Sequence, residues 1–383
     1  MPMRPAHIGL ILTGGGARAA YQVGVLKAIR ELLNQPRDNP FAILCGTSAG
    51  AINAARLAVH ADHFSNAVSD MINAWEYMQV ADVYRADVKH IMRSGAHWLA
   101  ALTLFARRAP VSLLDNAPLA RMLESTLDAA RIQQHIDAGR LHALAVTASG
   151  YGSGQSVSFF QAPKHLTGWR RKQRVGLPVQ LGAAHLLASA ALPFLFPAVK
   201  LDQEYFGDGS MRQIAPISPA LHLGAERLLI IGTAQPQDSR STPEYPVYPS
   251  LAQIAGHALN SIFLDTLQVD LERLERINRT VDLIPAERQS NEGMPLRRVK
   301  TLFLSPSVSI EHMASRFVHA LPRSIRFLLQ PTGALDRAGG TLASYLLFEA
   351  PFCRALIDLG VEDTMARANE VRAFFSATDP SFS

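Results

Sequence analysis

The sequence predicts an α/β fold: a mostly parallel central sheet sandwiched by helices, followed by a largely helical C-terminal extension. Three observations carry this. A short apolar run leads through a glycine turn into a helical pattern at Ile8–Leu12, and the same order recurs at "FAILCG" (41–46). Strand–turn–helix units repeated in this way build parallel strands with helices packed on the sheet. Further apolar strands recur at 141–149 and 227–234, and helical patterns dominate beyond residue 250.

Each element follows from local pattern. Ile8–Leu12 is short and apolar, as a strand buried on both faces should be. From about Arg18 to Leu33, residues Tyr21, Val25, Ile29 and Leu32 recur at helical spacing. "NQPRDNP" is a loop by its Asn, Pro and Asp content. "TSAGAINAARLAVHA" opens an alanine-rich helix, and residues 60–140 are mostly helical in pattern. "LHALAVTAS" (141–149), the turn "GYGSGQ" and the extended "SVSFFQA" follow. "AHLLASAALPFLFPAV" is a helix interrupted by proline, and "EYFGDGS" is a strand end and turn. "RLLIIGTA" (227–234) is a strand, and "PQDSRSTPEYPVYPS" (236–250) is linker-like. Beyond it come an amphipathic helix at 251–277, short strands at "RTVDLIPA" and "VKTLFLSPS", and a helical remainder with a frayed tail, "ATDPSFS".

Composition bounds the function classes. The 383 residues are 48% hydrophobic and 18% charged, which suits a globular chain with ample core. The net charge of +5 is mild for this length and suits an anionic membrane surface. The sequence shows no long Lys/Arg block that would argue for nucleic acid. The two cysteines, Cys45 and Cys353, form neither a disulfide framework nor a CxxC metal pair. Neither a secretory signal nor a run of about 18–20 apolar residues is evident. The expectation is a cytoplasmic protein, peripheral at the membrane, with no cofactor or metal.

Three constellations carry chemistry. Gly46-Thr47-Ser48-Ala49-Gly50 fits G-x-S-x-G between a predicted strand and a predicted helix, the setting of a nucleophile elbow. Gly14-Gly15-Gly16-Ala17-Arg18-Ala19 also fits the dinucleotide fingerprint G-x-G-x-x-A, which leaves an NAD(P)-binding alternative. That fingerprint needs an acidic residue at the end of the second strand, whereas Asp38 lies in the loop before it. The other use of such a turn is an oxyanion hole, with backbone N–H groups from Gly15, Gly16 and Ala49, and Arg18 near the loop. The third constellation is Phe206-Gly207-Asp208-Gly209-Ser210. The histidines after the serine, among them His185, His222, His257, His312 and His319, have no distinguishing setting.

Taken in order, G-G-G-x-R, G-x-S-x-G and D-G resemble the patatin-like phospholipase family over about residues 8–221. "ASAALPFLFPAV" (188–199) is similar to the stretch preceding D-G in that family, and the chain resembles its bacterial single-domain branch. The resemblance implies a catalytic domain at 8–221 and an extension at 222–383 packed on the same core. It implies a Ser–Asp dyad of Ser48 and Asp208 and an oxyanion hole of Gly15, Gly16, Ala49 and Arg18. Gly14, Gly46, Gly50 and Gly209 complete the motifs. The substrate implied is a lipid acyl ester, cleaved through an acyl-enzyme; a catalytically inactive lipid-binding relative is a further alternative. Ala19 and Ser210 depart from the family pattern. The basic amphipathic stretches 88–108 and 316–331 each invite two readings, a helix lying in a membrane surface and a simple core-covering helix, the latter being the commoner fate of such a stripe.

Overall fold

The computed structural model describes residues 7–87, 112–235, 266–284, 297–335 and 340–376, with 250, 253–254 and 256–257. The candidate membrane-contact stretch 88–108, the linker at 236–249 and the tail at 377–383 lie outside these residues.

The strands are β1 (Ile8–Leu12), β2 (Ile43–Thr47), β3 (Ala143–Gly150), β4 (Ser156–Gln161), β5 (Trp169–Arg171), β6 (Arg174–Pro178), β7 (Val199–Leu201), β8 (Glu204–Asp208), β9 (Arg227–Ile231) and β10 (Lys300–Leu304). They form one sheet in the order β10-β9-β1-β2-β3-β4-β6-β5, with β8 also paired to β3 and β7 to β8. The five strands from β10 to β3 are mutually parallel; β4 and β8 run antiparallel to β3. The main helices are α1 (Ala20–Leu32), α2 (Ala49–Val59), α3 (Phe64–Glu76), α4 (Ala117–Thr126), α5 (Ala129–Asp137), α6 (Ala183–Ser189), α7 (Thr266–Asp282), α8 (Ile310–Ala314), α9 (Gly340–Leu346), α10 (Ala350–Ala366) and α11 (Ala368–Phe375).

Strand periodicity divides the core in two. Leu10 and Leu12 of β1 and Leu229 and Ile231 of β9 join the larger cluster on one face, with α1, α2 and α3. Ile11, Leu228 and Ile230 join the smaller cluster on the other face, with Leu267 and Leu274 of α7. Successive side chains point to opposite faces, so strands covered on both sides read as unbroken apolar runs. Each fully buried leucine contributes roughly 1.5–3 kcal/mol. Both cysteines are buried, which pushes their thiols up to about 12, as expected of structural rather than reactive sulfur.

One expectation changes. Where a strand was expected at "RTVDLIPA", residues 279–282 are the last turn of α7, which runs to Asp282. Leu267, Leu274 and Val281 are buried along one side of that helix, and the Thr280 hydroxyl donates to the Arg276 carbonyl. Seven-residue spacing keeps these apolar residues on one helical face, which outweighs the strand propensity of Thr280, Val281 and Ile284. Of the two readings of 316–331, the core-covering one fits: its helix at Arg323–Leu329 buries Ile325 and Leu329.

The extension is part of the same sheet and core. β9 lies between β1 and β10, and Arg227 at its start donates to the Phe374 and Ser376 carbonyls. Helix α10 lies against α1 at a crossing made close by glycine. A Cβ on Gly24 would run into the Ile357 carbonyl, and one on Gly360 into the Tyr21 carbonyl. Gly24→Ala and Gly360→Ala should therefore each lower stability by about 2–3 kcal/mol. Because they perturb one contact, the double variant should lose less than the sum, read by urea denaturation. Unchanged midpoints in both single variants would show that this crossing is not close-packed.

Candidate active site

Ser48 stands between the last residue of β2 and the first of α2, at φ 54° and ψ −130°. A non-glycine residue there carries strain on the order of 1–3 kcal/mol and persists only where its surroundings over-determine it. The surroundings are close backbone contacts. A Cβ on Gly46 would strike the Ala51 Cα, and one on Gly50 would strike the Leu12 carbonyl. The Ser48 N–H donates to Ser189 Oγ at 2.8 Å, and that hydroxyl donates to the Thr147 carbonyl at 2.6 Å. Ser189, fully buried at the end of α6, thus ties the elbow to β3. Ala49 heads α2, where first-turn N–H groups lack intrahelical acceptors and the helix dipole favours negative charge.

Strand register brings Asp208 to the same place. Thr47, the last residue of β2, pairs with Thr147. Strand β3 continues to Gly150, and β8 takes up its edge there, pairing Asp208 with Ala148. Ser48 and Asp208 therefore each stand one step beyond the Thr47–Thr147 pair. Gly209 permits the turn, since a Cβ there would overlap the Thr147 carbonyl. The Asp208 N–H donates to the Ala191 carbonyl, and Oδ1 accepts from the Ser210 N–H at 2.9 Å. Ser210, where the family pattern has a smaller residue, thus contributes its backbone N–H to the turn.

The Asp208 carboxyl is fully buried, and burial pushes its pKa up to about 6 against the opposing pull of Ser48 and then Ser210. Oδ2 has no hydrogen-bond partner of normal geometry. The Ser48 hydroxyl therefore lies close enough to influence the carboxyl without a well-aligned bond. Tyr151 leans over Gly207, where a Cβ would meet its hydroxyl at 2.5 Å. Burial, then the Asp208 charge, raises the Tyr151 phenol. Two of the histidines are engaged locally: His185 Nδ1 accepts from the Gly182 N–H, and His222 Nδ1 lies 2.8 Å from the Ser218 carbonyl.

The glycine turn is built against the same elbow. Gly50 packs on the Leu12 and Thr13 carbonyls, so the two turns touch. Gly16 has φ 55°, and a Cβ there would strike the Tyr345 carbonyl. Gly15 faces the Thr233 side chain, whose hydroxyl donates to the Gly14 carbonyl at 2.5 Å. Beneath the turn, Gln22 donates to the Thr13 carbonyl, and Asn53 donates to Gln22 and to the Ala19 carbonyl. Trp75 Nε1 donates to Asn53 Oδ1 at 3.0 Å. This buried network fixes the turn relative to α2, because an unsatisfied member would cost about 1–3 kcal/mol.

Arg18, expected beside the oxyanion groups, is fully buried and engaged with the C-terminal segment. Nε donates to Ser344 Oγ at 2.7 Å, Nη2 to the Thr341 carbonyl at 3.3 Å, and Nη1 pairs with Glu311 at 3.0 Å. The guanidinium also lies 4.1 Å from the centre of the Tyr345 ring. These contacts tie the start of the helical segment after the glycine turn to the C-terminal segment.

Ser189, Gln22, Asn53 and Glu311 are absent from the sequence-derived set. Only Ser189 had a local signal, as the sole hydroxyl in the small-residue stretch before Pro193. Ser189→Ala leaves the Ser48 N–H and the Thr147 carbonyl without their shared partner. It should lower stability by about 2–3 kcal/mol, read by thermal melts, whereas Ser189→Thr should recover part of the loss.

Comparison with known proteins identifies the family. A family model described as patatin-like phospholipase matches residues 10–221. The cGAMP-activated phospholipase of Pseudomonas aeruginosa (strain BWHPSA011 / Pa011) is 28% identical over 218 residues, 57% of this chain and 56% of that protein. The cUMP-AMP-activated phospholipase of Escherichia coli is 35% identical over 85 residues, 22% of each. The chain thus spans about half or less of the length of these curated relatives. Human GIVD cytosolic phospholipase A2 superimposes at a TM-score of 0.40 and 12% identity, covering 97% of this chain and 60% of that one. The family match spans more than half of the 383 residues, and the chain belongs to the patatin-like phospholipase family.

Proposed function

We propose that the protein is a serine acyl hydrolase that cleaves lipid acyl esters, with Ser48 as nucleophile and Asp208 as its base. The observation that carries this is the meeting of a strained serine at a helix N-terminus with a buried carboxyl whose second oxygen lacks a partner. Family membership and the phospholipase relatives support the lipid as substrate class. Ser48 Oγ attacks the ester carbonyl as its proton passes to Asp208 Oδ2. Charge collects on the former carbonyl oxygen, where N–H groups of Gly15, Gly16 and Ala49 are the candidate donors; each such donor contributes roughly 3–4 kcal/mol. The alcohol leaves with the proton; water then attacks the acyl-enzyme as the same carboxylate takes its proton, and that proton returns to Ser48 Oγ as the fatty acid is released.

A carboxylate at its ordinary pKa is a poor base near neutrality, and burial moves Asp208 in the useful direction. The nucleotide alternative fits less well. Strand β2 ends in Gly46-Thr47 and runs into the serine, with no acidic residue for a ribose. The space a pyrophosphate would use at Gly16 abuts the Tyr345 backbone. Among the described residues no helix is long and apolar enough to cross a membrane.

A fluorophosphonate should form an adduct on Ser48, located by peptide mass mapping. Hydrolysis of a p-nitrophenyl acyl ester should fall by about 10⁴-fold or more in Ser48→Ala and by about 10²–10⁴-fold in Asp208→Asn. Failure to label Ser48 while a control serine hydrolase labels fully would overturn the reading; an active Asp208→Asn would overturn the base assignment. The base must be ionised, so kcat/KM should rise with pH through about 6 and level off above it. A profile that is flat across that interval would remove Asp208 from the rate-limiting proton transfer.

A further inference from the structure

Charge is unevenly spread along this chain. Residues 138–201 contain no Asp or Glu, although the chain holds 32 in 383 residues, so about five would fall in a stretch of that length. The same stretch holds seven Lys or Arg.

The fold collects part of this charge beside the candidate active site. Strands β5 and β6 form a hairpin at the end of the sheet, and Arg170, Arg171 and Lys172 are exposed on it. The Ser156 N–H donates to the Gln173 carbonyl, and Ser156 pairs with Arg174 on one side and Ser149 on the other. Ser149 adjoins the Ala148–Asp208 pair. The hairpin tip therefore lies at the carboxyl end of the parallel strands, where Ser48 and Asp208 also lie.

A second hairpin projects from the same end. Strand β8 pairs only with the last residues of β3, so β7 and β8 reach beyond the sheet. Exposed Lys200 pairs with Tyr205 on this hairpin, and the Tyr151 N–H donates to the Tyr205 carbonyl. Tyr151 is 50% and Tyr205 54% exposed. Exposed Arg212 follows Asp208, with Nη2 4.0 Å from where a Cβ on Gly154 would sit. Carboxylates are present too: Asp202 and Glu204 at the hairpin turn, Glu204 accepting from the Ser153 N–H, and Asp270 facing Arg174.

We propose that these two hairpins dock the protein on an anionic phospholipid surface. The cations of the β5–β6 tip, with Lys200 and Arg212, meet the headgroup charge, and Tyr151 and Tyr205 enter the headgroup layer. Juxtamembrane cations are attracted by anionic leaflets, and tyrosine favours the interface because one end is apolar and the other wet. Two projecting tips beside the nucleophile suit a flat surface that presents its esters from that side. The proposal rests on the acyl-hydrolase reading and adds to it the surface on which the substrate is met.

Vesicle sedimentation in the Ser48→Ala background tests this without consuming lipid. Binding should be strong to phosphatidylcholine vesicles with about 30% phosphatidylglycerol, slight to phosphatidylcholine alone, and lost in about 0.5 M salt. Arg170→Glu/Arg171→Glu/Lys172→Glu should weaken anionic binding at least ~10-fold, and the corresponding Gln variant by less. Arg276→Glu/Arg279→Glu is the control, since Asn278 of α7 bonds Val299 at the opposite end of the sheet. Melting temperatures identify any variant that fails to fold, in which case the Gln variant is decisive. Equal binding to neutral vesicles, or a hairpin variant that behaves like the control, overturns the proposal. Tighter binding to a single-stranded oligonucleotide than to the vesicles also overturns it and assigns the surface to nucleic acid. Fluorophosphonate labelling of Ser48 in the unaltered chain separates the two readings. Labelling without vesicle preference overturns the docking surface alone; vesicle preference without labelling supports the surface and overturns the hydrolase reading.

Discussion

Strand β2 stops at Thr47 while β3 runs on to Gly150, and the rest of the site depends on that offset. The chain leaves the sheet at Ser48 to begin α2, which exposes an edge of β3. Strand β8 fills the edge antiparallel, and the pairing of Asp208 with Ala148 fixes which residue arrives beside the serine. Residues separated by 160 positions are thus aligned by backbone hydrogen bonds rather than by side-chain attraction. A slip of one residue in that pairing would turn Asp208 to the other face of the strand. Gly46, Gly50 and Gly209 are required because backbone from the neighbouring element occupies the place of each missing Cβ.

The arrangement costs stability at both partners. Ser48 is held at positive φ. Asp208 is raised to about 6, so the folded chain binds its proton more tightly than the unfolded chain does. Folding stability therefore falls as pH rises from about 4 to about 6 and stays lower above it, by an amount on the order of 3 kcal/mol from this group. The sign is opposite to that of a salt-bridged carboxylate. The same burial makes the carboxylate a stronger base, so the proposed function and the stability cost have one physical origin. Ser189, by joining the Ser48 N–H to the Thr147 carbonyl, belongs to what holds the strained elbow in place.

How much of this was legible in the sequence varied with the range of the cause. The elbow could be read because its causes are local: glycine on both sides of Ser48, an apolar strand before it and a helical pattern after it. Asp208 was identifiable only through the order of motifs, since a lone D-G is ordinary turn chemistry. That β8 pairs with β3 is a long-range fact with no local trace. Arg18 shows the limit most clearly. In sequence it adjoins the glycine turn, which suggested a charge for the oxyanion. In the fold its side chain meets Glu311 and Ser344, some 300 residues away. The last turn of α7 failed for the opposite reason, because local strand propensity yielded to a buried helical stripe.

Arg18 also bears on how the chain divides. A fully buried guanidinium needs charge and hydrogen-bond partners, and removing one partner from a buried pair costs roughly 3–5 kcal/mol. Here Glu311, Thr341, Ser344 and the Tyr345 ring supply them, and all lie beyond the residues matched by the family model. The Tyr345 carbonyl fills the space beside Gly16, and α10 closes on α1 through Gly24 and Gly360. The family-matched part therefore does not complete its own glycine turn. The turn that carries the candidate oxyanion groups packs against Glu311 and residues 341–345, so these C-terminal residues are a structural component of the turn.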